Sequence, residues 1–348
     1  MNTLNYIGCK NTLFKTIKSV ILENIPDILK LSFLDLFSGT GIMGFNMSDY
    51  CDIVVSNDLE YYSFVINNGL LCCSYSDKLK KIIDDCNILE EVEGIVFKNF
   101  SPNDSCERMF FMPKNAKKTD AIRQYIEKLL KNNDINESEY YFLLASLLVS
   151  VDKVANTTSV YGAFLKEFKH SSQKNLRLLP IHEKKYDKNN KVYNKKAETL
   201  ITEVKCDVVY MDPPYNNRQY AANYSPLNYI ALYDENTVIK GKTGIIENYN
   251  KSLFCNRKRV TEIFNEMIQK INCKYIILSY NDEGIMNFED IKNILLSKGD
   301  LTLYKVKYKR YKSRKENESK NTVYEYIWVV EVKEDMIHFY EEKEIEKR

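Results

Sequence analysis

Asp212-Pro213-Pro214-Tyr215 follows directly on an apolar run, Cys206 to Met211. Each proline fixes its φ at about −65° and lacks a backbone donor, and the residue before a proline is pushed to an extended conformation. The four residues therefore form a stiff, acceptor-rich corner at the end of a strand. Such a corner suits a planar exocyclic amine, whose lone pair is delocalised into its ring and is a poor nucleophile. The Asp212 carboxylate and the Pro213 carbonyl can each accept one amino hydrogen, which favours a pyramidal nitrogen. Asp212 would also stabilise positive charge building on that nitrogen, and Tyr215 offers an aromatic face to the base.

A second constellation lies near the start of the chain. Leu31-Ser-Phe-Leu-Asp-Leu-Phe-Ser-Gly-Thr-Gly41 passes from a short apolar run into turn residues and then into Ile42-Met43-Gly44-Phe45. Gly39-Thr-Gly-Ile-Met-Gly44 fits G-x-G-x-x-G, and Asp58 closes the next strand, Cys51 to Asn57. Glycines let the backbone approach a ligand, and a carboxylate after the second strand accepts hydrogen bonds from ribose hydroxyls. Asp35, inside the strand just before the turn, is a poor neighbour for the pyrophosphate of a nicotinamide dinucleotide. It suits a ligand carrying an ammonium group, such as the methionyl part of S-adenosylmethionine. The sequence contains no G-x-x-x-x-G-K-[ST], so a P-loop nucleotidase is disfavoured.

Strand, glycine turn and helix form the opening unit of a doubly wound α/β sheet. Cys206 to Met211 and Lys274 to Tyr280 read as further strands, and Leu301 to Tyr308 and Val323 to Val332 as antiparallel edge strands. Residues 96–182 break this rhythm with helical patterns at Asp120 to Asn132 and Glu137 to Val151. The expected fold is a Rossmann-like α/β sheet formed by residues 1–95 and 183–348, with 96–182 as an inserted, mostly helical subdomain.

The 348 residues carry 50 Lys and Arg against 48 Asp and Glu, so the chain is neither a disordered tail nor a nucleic-acid condenser. Local basic runs exist all the same, at Lys166 to Lys196 and at Lys305 to Lys315, while the tail from Glu331 to Glu346 is acidic. Nine cysteines without a C-x-x-C pair, and three scattered histidines, suggest free thiols and no metal site. The longest apolar run, Leu143 to Val151, is shorter than the roughly 20 residues of a membrane span, and Met1 to Lys10 does not resemble a secretory signal. A cytoplasmic protein is expected.

Asp-Pro-Pro-Tyr, the Asp35-Leu-Phe-Ser-Gly-Thr-Gly41 turn and an N-terminal Tyr6-Ile-Gly-Cys-Lys10 occur here in the order found in the Dam-like, alpha-group DNA adenine-N6 methyltransferases, which include modification methylases. The chain resembles that family over most of its length except the insertion. The resemblance implies a Rossmann-like methyltransferase sheet as catalytic domain (1–95 and 183–348), with 96–182 as target-recognition subdomain, in a prokaryotic cell or phage. It also implies S-adenosylmethionine as methyl donor, with Lys10 at its carboxylate and Tyr6 and Gly8 shaping that wall. It places Asp35, Phe37, Ser38, Gly39, Thr40 and Gly41 around the methionine and adenosine, with Asp58 on the ribose. Asp212 to Tyr215 would hold the target adenine, Asp212 also bordering the cofactor. Lys196 stands where relatives often have an acidic residue near the cofactor adenine, and it is not counted as a site residue.

An adenine inside duplex DNA must be extruded to reach such a pocket. Asn156, Tyr161, Lys166 and Lys169 in the insertion, and Arg310 and Lys312 in the second basic run, have donors suited to base edges or phosphates. Double-stranded DNA is the expected partner, together with a restriction endonuclease acting on the same site unless the enzyme is an orphan modification methylase; a membrane is not. RNA adenine methylation and a non-catalytic nucleic-acid-binding module stay open as alternatives. A dehydrogenase would leave Asp-Pro-Pro-Tyr unexplained, and glutamine methylases usually carry Asn where this chain has Asp212.

Overall fold

A computed structural model describes residues 1–4, 10, 13–185, 188–309, 322–335 and 337–346. The chain opens with α1 (Phe14–Asn24), β1 (Ser32–Asp35), α2 (Ile42–Met47), β2 (Ile53–Asn57) and α3 (Tyr61–Leu71). A helical block follows: α4 (Asp77–Ile88), α5 (Ile95–Phe100), α6 (Pro113–Lys131) and α7 (Glu137–Lys153). The sheet resumes with β3 (Lys191–Tyr193), α8 (Ala197–Leu200), β4 (Val208–Met211), α9 (Tyr220–Asn223) and α10 (Ser225–Leu232). After a small hairpin, β5 (Ile239–Lys240) and β6 (Ile245–Ile246), come α11 (Val260–Lys270), β7 (Tyr275–Asn281) and α12 (Phe288–Leu296). The chain closes with β8 (Gly299–Lys309), β9 (Thr322–Val332) and β10 (Tyr340–Glu346).

Eight strands form one sheet in the order β10-β8-β9-β7-β4-β1-β2-β3. The run from β3 to β7 is parallel throughout, and β9 is antiparallel to both its neighbours, β7 and β8. Apolar side chains cover both faces. One core holds Ile17 of α1, Phe45 of α2, Val65 of α3 and Leu144 of α7; the other holds Leu200 of α8, Phe264 of α11 and Leu295 of α12. The chain leaves β1 toward β2 on one side and returns to β4 on the other. This switch point opens a crevice at the carboxyl ends of β1 and β4, where ligands bind in such sheets.

The helical block lies directly on this core. Alpha7 starts at a capping box, in which Asn136 accepts from the Glu139 N–H and the Glu139 carboxylate accepts from the Asn136 N–H. It packs along α3, and Gly69 allows the approach, because a Cβ there would meet the Ala145 Cβ at 2.5 Å. Leu143 to Val151 is thus a buried core helix, and no helix among the described residues is long and apolar enough to cross a membrane.

Both strands expected at the edge of the sheet are interior. Leu301 to Tyr308 belongs to β8, which lies between β10 and β9. Val323 to Val332 does not form an edge strand: β9 lies between β7 and β8, and Ile327, Trp328 and Val330 are fully buried. The edge is taken by the acidic tail, where Tyr340–Glu346 pairs in parallel with β8. Alternating residues read the same whether a strand is central or at an edge, so the pattern alone could not separate the two.

Candidate active site

Beta1 delivers Asp35 to the crevice, and the turn that follows folds back under it. Gly39 and Gly41 adopt positive φ, 49° and 74°, and a Cβ on Gly41 would lie 2.7 Å from Leu70 Cδ1. Glycine suits position 41 because of its positive φ and because a side chain there would have to push aside those of Leu70 and Asn67. The turn is tied to the end of β2 through Asp58, whose carboxylate accepts from the Gly39 N–H at 2.8 Å and from the Glu60 N–H at 2.9 Å. The Gly44 N–H donates to Asp35 Oδ2 at 3.1 Å. Asp35 Oδ1 is buried and, among the described residues, has no hydrogen-bond partner. Burial drives the Asp35 carboxyl up to about 8; the Gly44 bond opposes this, and the charges of Asp212 and Asp58 add to it.

Beta4 delivers Asp212 beside Asp35, since Tyr210 pairs with Asp35 in the sheet. Lys10 Nζ lies 3.1 Å from Asp212 Oδ1 and 2.5 Å from Glu325 Oε1 on β9. Burial raises the Asp212 carboxyl to about 7 against the pull of Lys10, with Glu325 pushing in the same direction as burial. Lys10 itself is held well above its ordinary value: burial lowers it, and the charges of Asp212 and Glu325 outweigh that.

Lys10, Asp35, Phe37, Ser38, Gly39, Thr40, Asp58, Asp212, Pro213, Pro214 and Tyr215 line one cleft of about 990 Å³, counting the space at its open mouth. Gly41 shapes the turn from behind. Tyr6, Gly8, Arg310 and Lys312 lie outside the described residues.

The expected DNA contacts fare differently. Asn156 is fully buried: its amide donates to the Met109 and Leu165 carbonyls at 3.0 Å each and accepts from the Lys169 N–H at 3.0 Å. Tyr161 is equally buried, its hydroxyl 3.0 Å from Asp152 Oδ1. Neither side chain has a free donor facing solvent, so both are corrected from base readers to internal struts. Lys169 is half-buried and donates to the Thr157 carbonyl, while Lys166 is exposed.

The cleft also contains residues not anticipated from sequence. Glu60, buried and accepting from Asn228 Nδ2 at 2.8 Å, is raised to about 8 by burial and by Asp58. Tyr220 lines the cleft and stacks on Tyr224 at 6.3 Å. Gln219 is clasped to Ser252 by two hydrogen bonds, of 2.8 and 3.1 Å, which fixes the loop beyond Tyr215. Glu198, two residues past Lys196, puts an acidic group on the cleft wall. Its signal was the Glu at the first turn of α8; Glu60 could have been found as the second acid after Asp58.

The arrangement is an acid-rich cleft with a proline corner on one wall and a glycine turn on another. Comparison with known proteins agrees with that chemistry. Residues 6–294 match the model of the D12 class N6 adenine-specific DNA methyltransferases. The type II methyltransferase M.NlaIII of Neisseria lactamica is 40% identical over 336 residues, covering 94% of this chain and 99% of its own length. M.CviAII of Paramecium bursaria Chlorella virus 1 is 36% identical over 338 residues, covering 96% of this chain and 100% of its own. M.FokI of Planomicrobium okeanokoites is 38% identical over 349 residues, which are 94% of this chain but 52% of that protein. Of the readings left open by the sequence, DNA rather than RNA is the substrate these matches support. The chain belongs to the D12 class of N6 adenine-specific DNA methyltransferases.

Proposed function

We propose that the enzyme takes its methyl group from S-adenosylmethionine held in this cleft and passes it to an adenine extruded from duplex DNA. The observation that carries the reading is Asp35, which lines the cleft that Asp212 borders and whose buried Oδ1 has no hydrogen-bond partner among the described residues. A buried carboxylate oxygen without a donor is costly, and a ligand ammonium removes that cost. Ser38, Thr40 and the glycine turn would border the methionyl chain, and Asp58, Glu60 and Glu198 have acceptors for ribose and adenine. When bound, the donor supplies a methyl group already activated on a sulfonium sulfur.

This chain's own contribution is orientation and charge. Asp212 and the Pro213 carbonyl take the two amino hydrogens of the target adenine, and Tyr215 stacks on its ring. With the donor bound, the lone pair aimed by Asp212 and the Pro213 carbonyl would form the new bond to the methyl carbon, whose bonding pair to sulfur would leave with sulfur. Asp212 balances the charge that appears on nitrogen until its proton is lost to solvent. Holding the reacting atoms in line supplies much of the acceleration. Extrusion costs a few kcal/mol, offset by stacking and by phosphate contacts.

Residues 96–182 are proposed to read the target, with the exposed Lys166, Lys174 and Arg177 on the phosphates, and a restriction endonuclease of the same specificity is the proposed partner. Expression in a methylation-free host, followed by genome-wide mapping of modified adenines, tests the reading. N6-methyladenine at one recurrent sequence is expected; a genome left unmodified while purified protein binds no labelled S-adenosylmethionine would overturn it.

A further inference from the structure

Glu325 is an unexpected residue for its position. On β9 it shares a strand face with Ile327 and Val329, both buried in the apolar core, and it is itself 1% exposed. Its Oε1 accepts from Ser279 Oγ on β7 at 2.5 Å and lies 2.5 Å from Lys10 Nζ. A buried carboxylate persists in such a setting only when well paired. The pairing leads in one direction, from Ser279 through Glu325 and Lys10 to Asp212 at the cleft.

The two Lys10 distances are unequal, 2.5 Å to Glu325 and 3.1 Å to Asp212. The ammonium is thus anchored on the deep side and only shared with the cleft side. A lysine given to Asp212 alone would neutralise that carboxylate and compete with the substrate amine for its lone pairs. We propose that Glu325, fixed by Ser279, is a positioning residue that anchors Lys10 and so keeps Asp212 a strong acceptor for the target amine. The inference rests on the reading of Asp212 given above.

Around Asp212 stand Lys10 ahead of α1, Asp35 of β1, Tyr210 of β4, Tyr220 of α9 and Glu325 of β9. Among them Glu325 pushes the Asp212 carboxyl upward and Lys10 pulls it down. Glu325→Gln keeps the shape and removes the charge, so Lys10 turns to Asp212 and Asp212 ionises more easily. The acid limb of the kcat profile should then move to lower pH. On the plateau, kcat should fall roughly tenfold, less than when a group touching the reacting atoms is removed, with DNA KM and cofactor affinity nearly unchanged. In a Lys10→Met background, Glu325→Gln should cost nothing further, since its effect passes through Lys10.

The experiment is steady-state transfer of labelled methyl to duplex DNA across pH 5.5–9, with calorimetric titration of S-adenosylmethionine and thermal melting of each variant. A wild-type enzyme that methylates adenine, paired with a Glu325→Gln variant of unchanged kcat and acid limb, overturns this inference and leaves the proposed function standing. A wild type without transfer strikes the proposed function itself. Should Glu325→Gln fail to fold, Ser279→Ala loosens the same carboxylate without deleting its charge. It is expected to lower kcat by a smaller factor, and full retention of kcat in that variant counts against the inference.

Discussion

The cleft and the helical block between β2 and β3 both hold buried polar side chains, and they treat them in opposite ways. In the block, α4 to α7, Ser101 Oγ is the one buried side-chain oxygen with no partner among the described residues, and the larger polar groups are saturated. Asp120 accepts from the Gly94, Val96 and Phe97 N–H groups and from the Tyr233 hydroxyl, and Arg123 donates to the Ile230 and Ala231 carbonyls and to the Tyr140 hydroxyl. In the cleft, Asp35 keeps an oxygen with no partner among the described residues, Asp212 keeps 19% of its surface, and both carboxyls sit near neutrality, at about 8 and about 7. Saturated polar groups hold a fold together. Unsaturated ones, held in place by a rigid scaffold, are where a ligand completes the structure.

The largest test of this contrast is Asp212→Ala. Lys10 retains Glu325, so the variant should fold and still bind S-adenosylmethionine with a modest loss. Methyl transfer in single-turnover assays should fall by roughly 10²–10³ or more, as on loss of a group that stabilises transition-state charge. Unchanged transfer would remove Asp212 from the reaction. Asn156→Ala is the counterpart in the saturated region. It strands two carbonyls and an N–H, each costing about 1–3 kcal/mol when buried without a partner. The melting temperature should drop by several degrees, with DNA affinity of the folded fraction unaltered. A lower affinity at an unchanged melting temperature would restore Asn156 as a base reader.

That pair of residues also shows what was legible in the sequence. Asp212 announces itself because two prolines dictate the local backbone whatever lies around them, and the glycine turn does so because Gly39 and Gly41 need positive φ. These are local constraints, and the strands and helices around them were readable for the same reason. Asn156 carries the right donors for DNA, but whether a donor faces solvent depends on the packing of Met109, Leu165 and Lys169 around it. Lys10 and Glu325 are 315 positions apart, and no local pattern links them. A faint cue was present: Glu325 falls on the same alternation as Ile327 and Val329, a charge where the strand should be apolar.

A finer division of the cleft comes from pH. The Asp35 carboxyl is raised to about 8, so the ligand-free enzyme holds it protonated at neutrality, whereas a bound ammonium requires it ionised. Affinity for S-adenosylmethionine should therefore rise with pH, by up to about tenfold per unit, and level off above pH 8. Calorimetry in buffers of different ionisation enthalpy should show proton release on binding at pH 7. Asp35→Asn should flatten the dependence and weaken binding at pH 8.5. Affinity independent of pH in the wild type would place the ammonium elsewhere.

Lys166→Ala carries the smallest expected effect and reaches the surface of the helical block. Lys166 is exposed and has no ion pair among the described residues, so its charge is available in a way that Asn156 and Tyr161 are not. A lysine that neutralises one phosphate contributes about one counterion to the salt dependence of DNA binding. Its removal should lower the slope of log K against log salt by about 1 and weaken binding equally on cognate and unrelated duplexes. The modified sequence should stay the same, because a phosphate contact positions the protein without reading bases. A changed recognition sequence in Lys166→Ala would make this lysine a reader of bases. An unaltered slope would make it a solvated charge, and the DNA-facing surface would then have to be sought away from the helical block, for which the exposed Lys251 at the cleft mouth is the natural starting point.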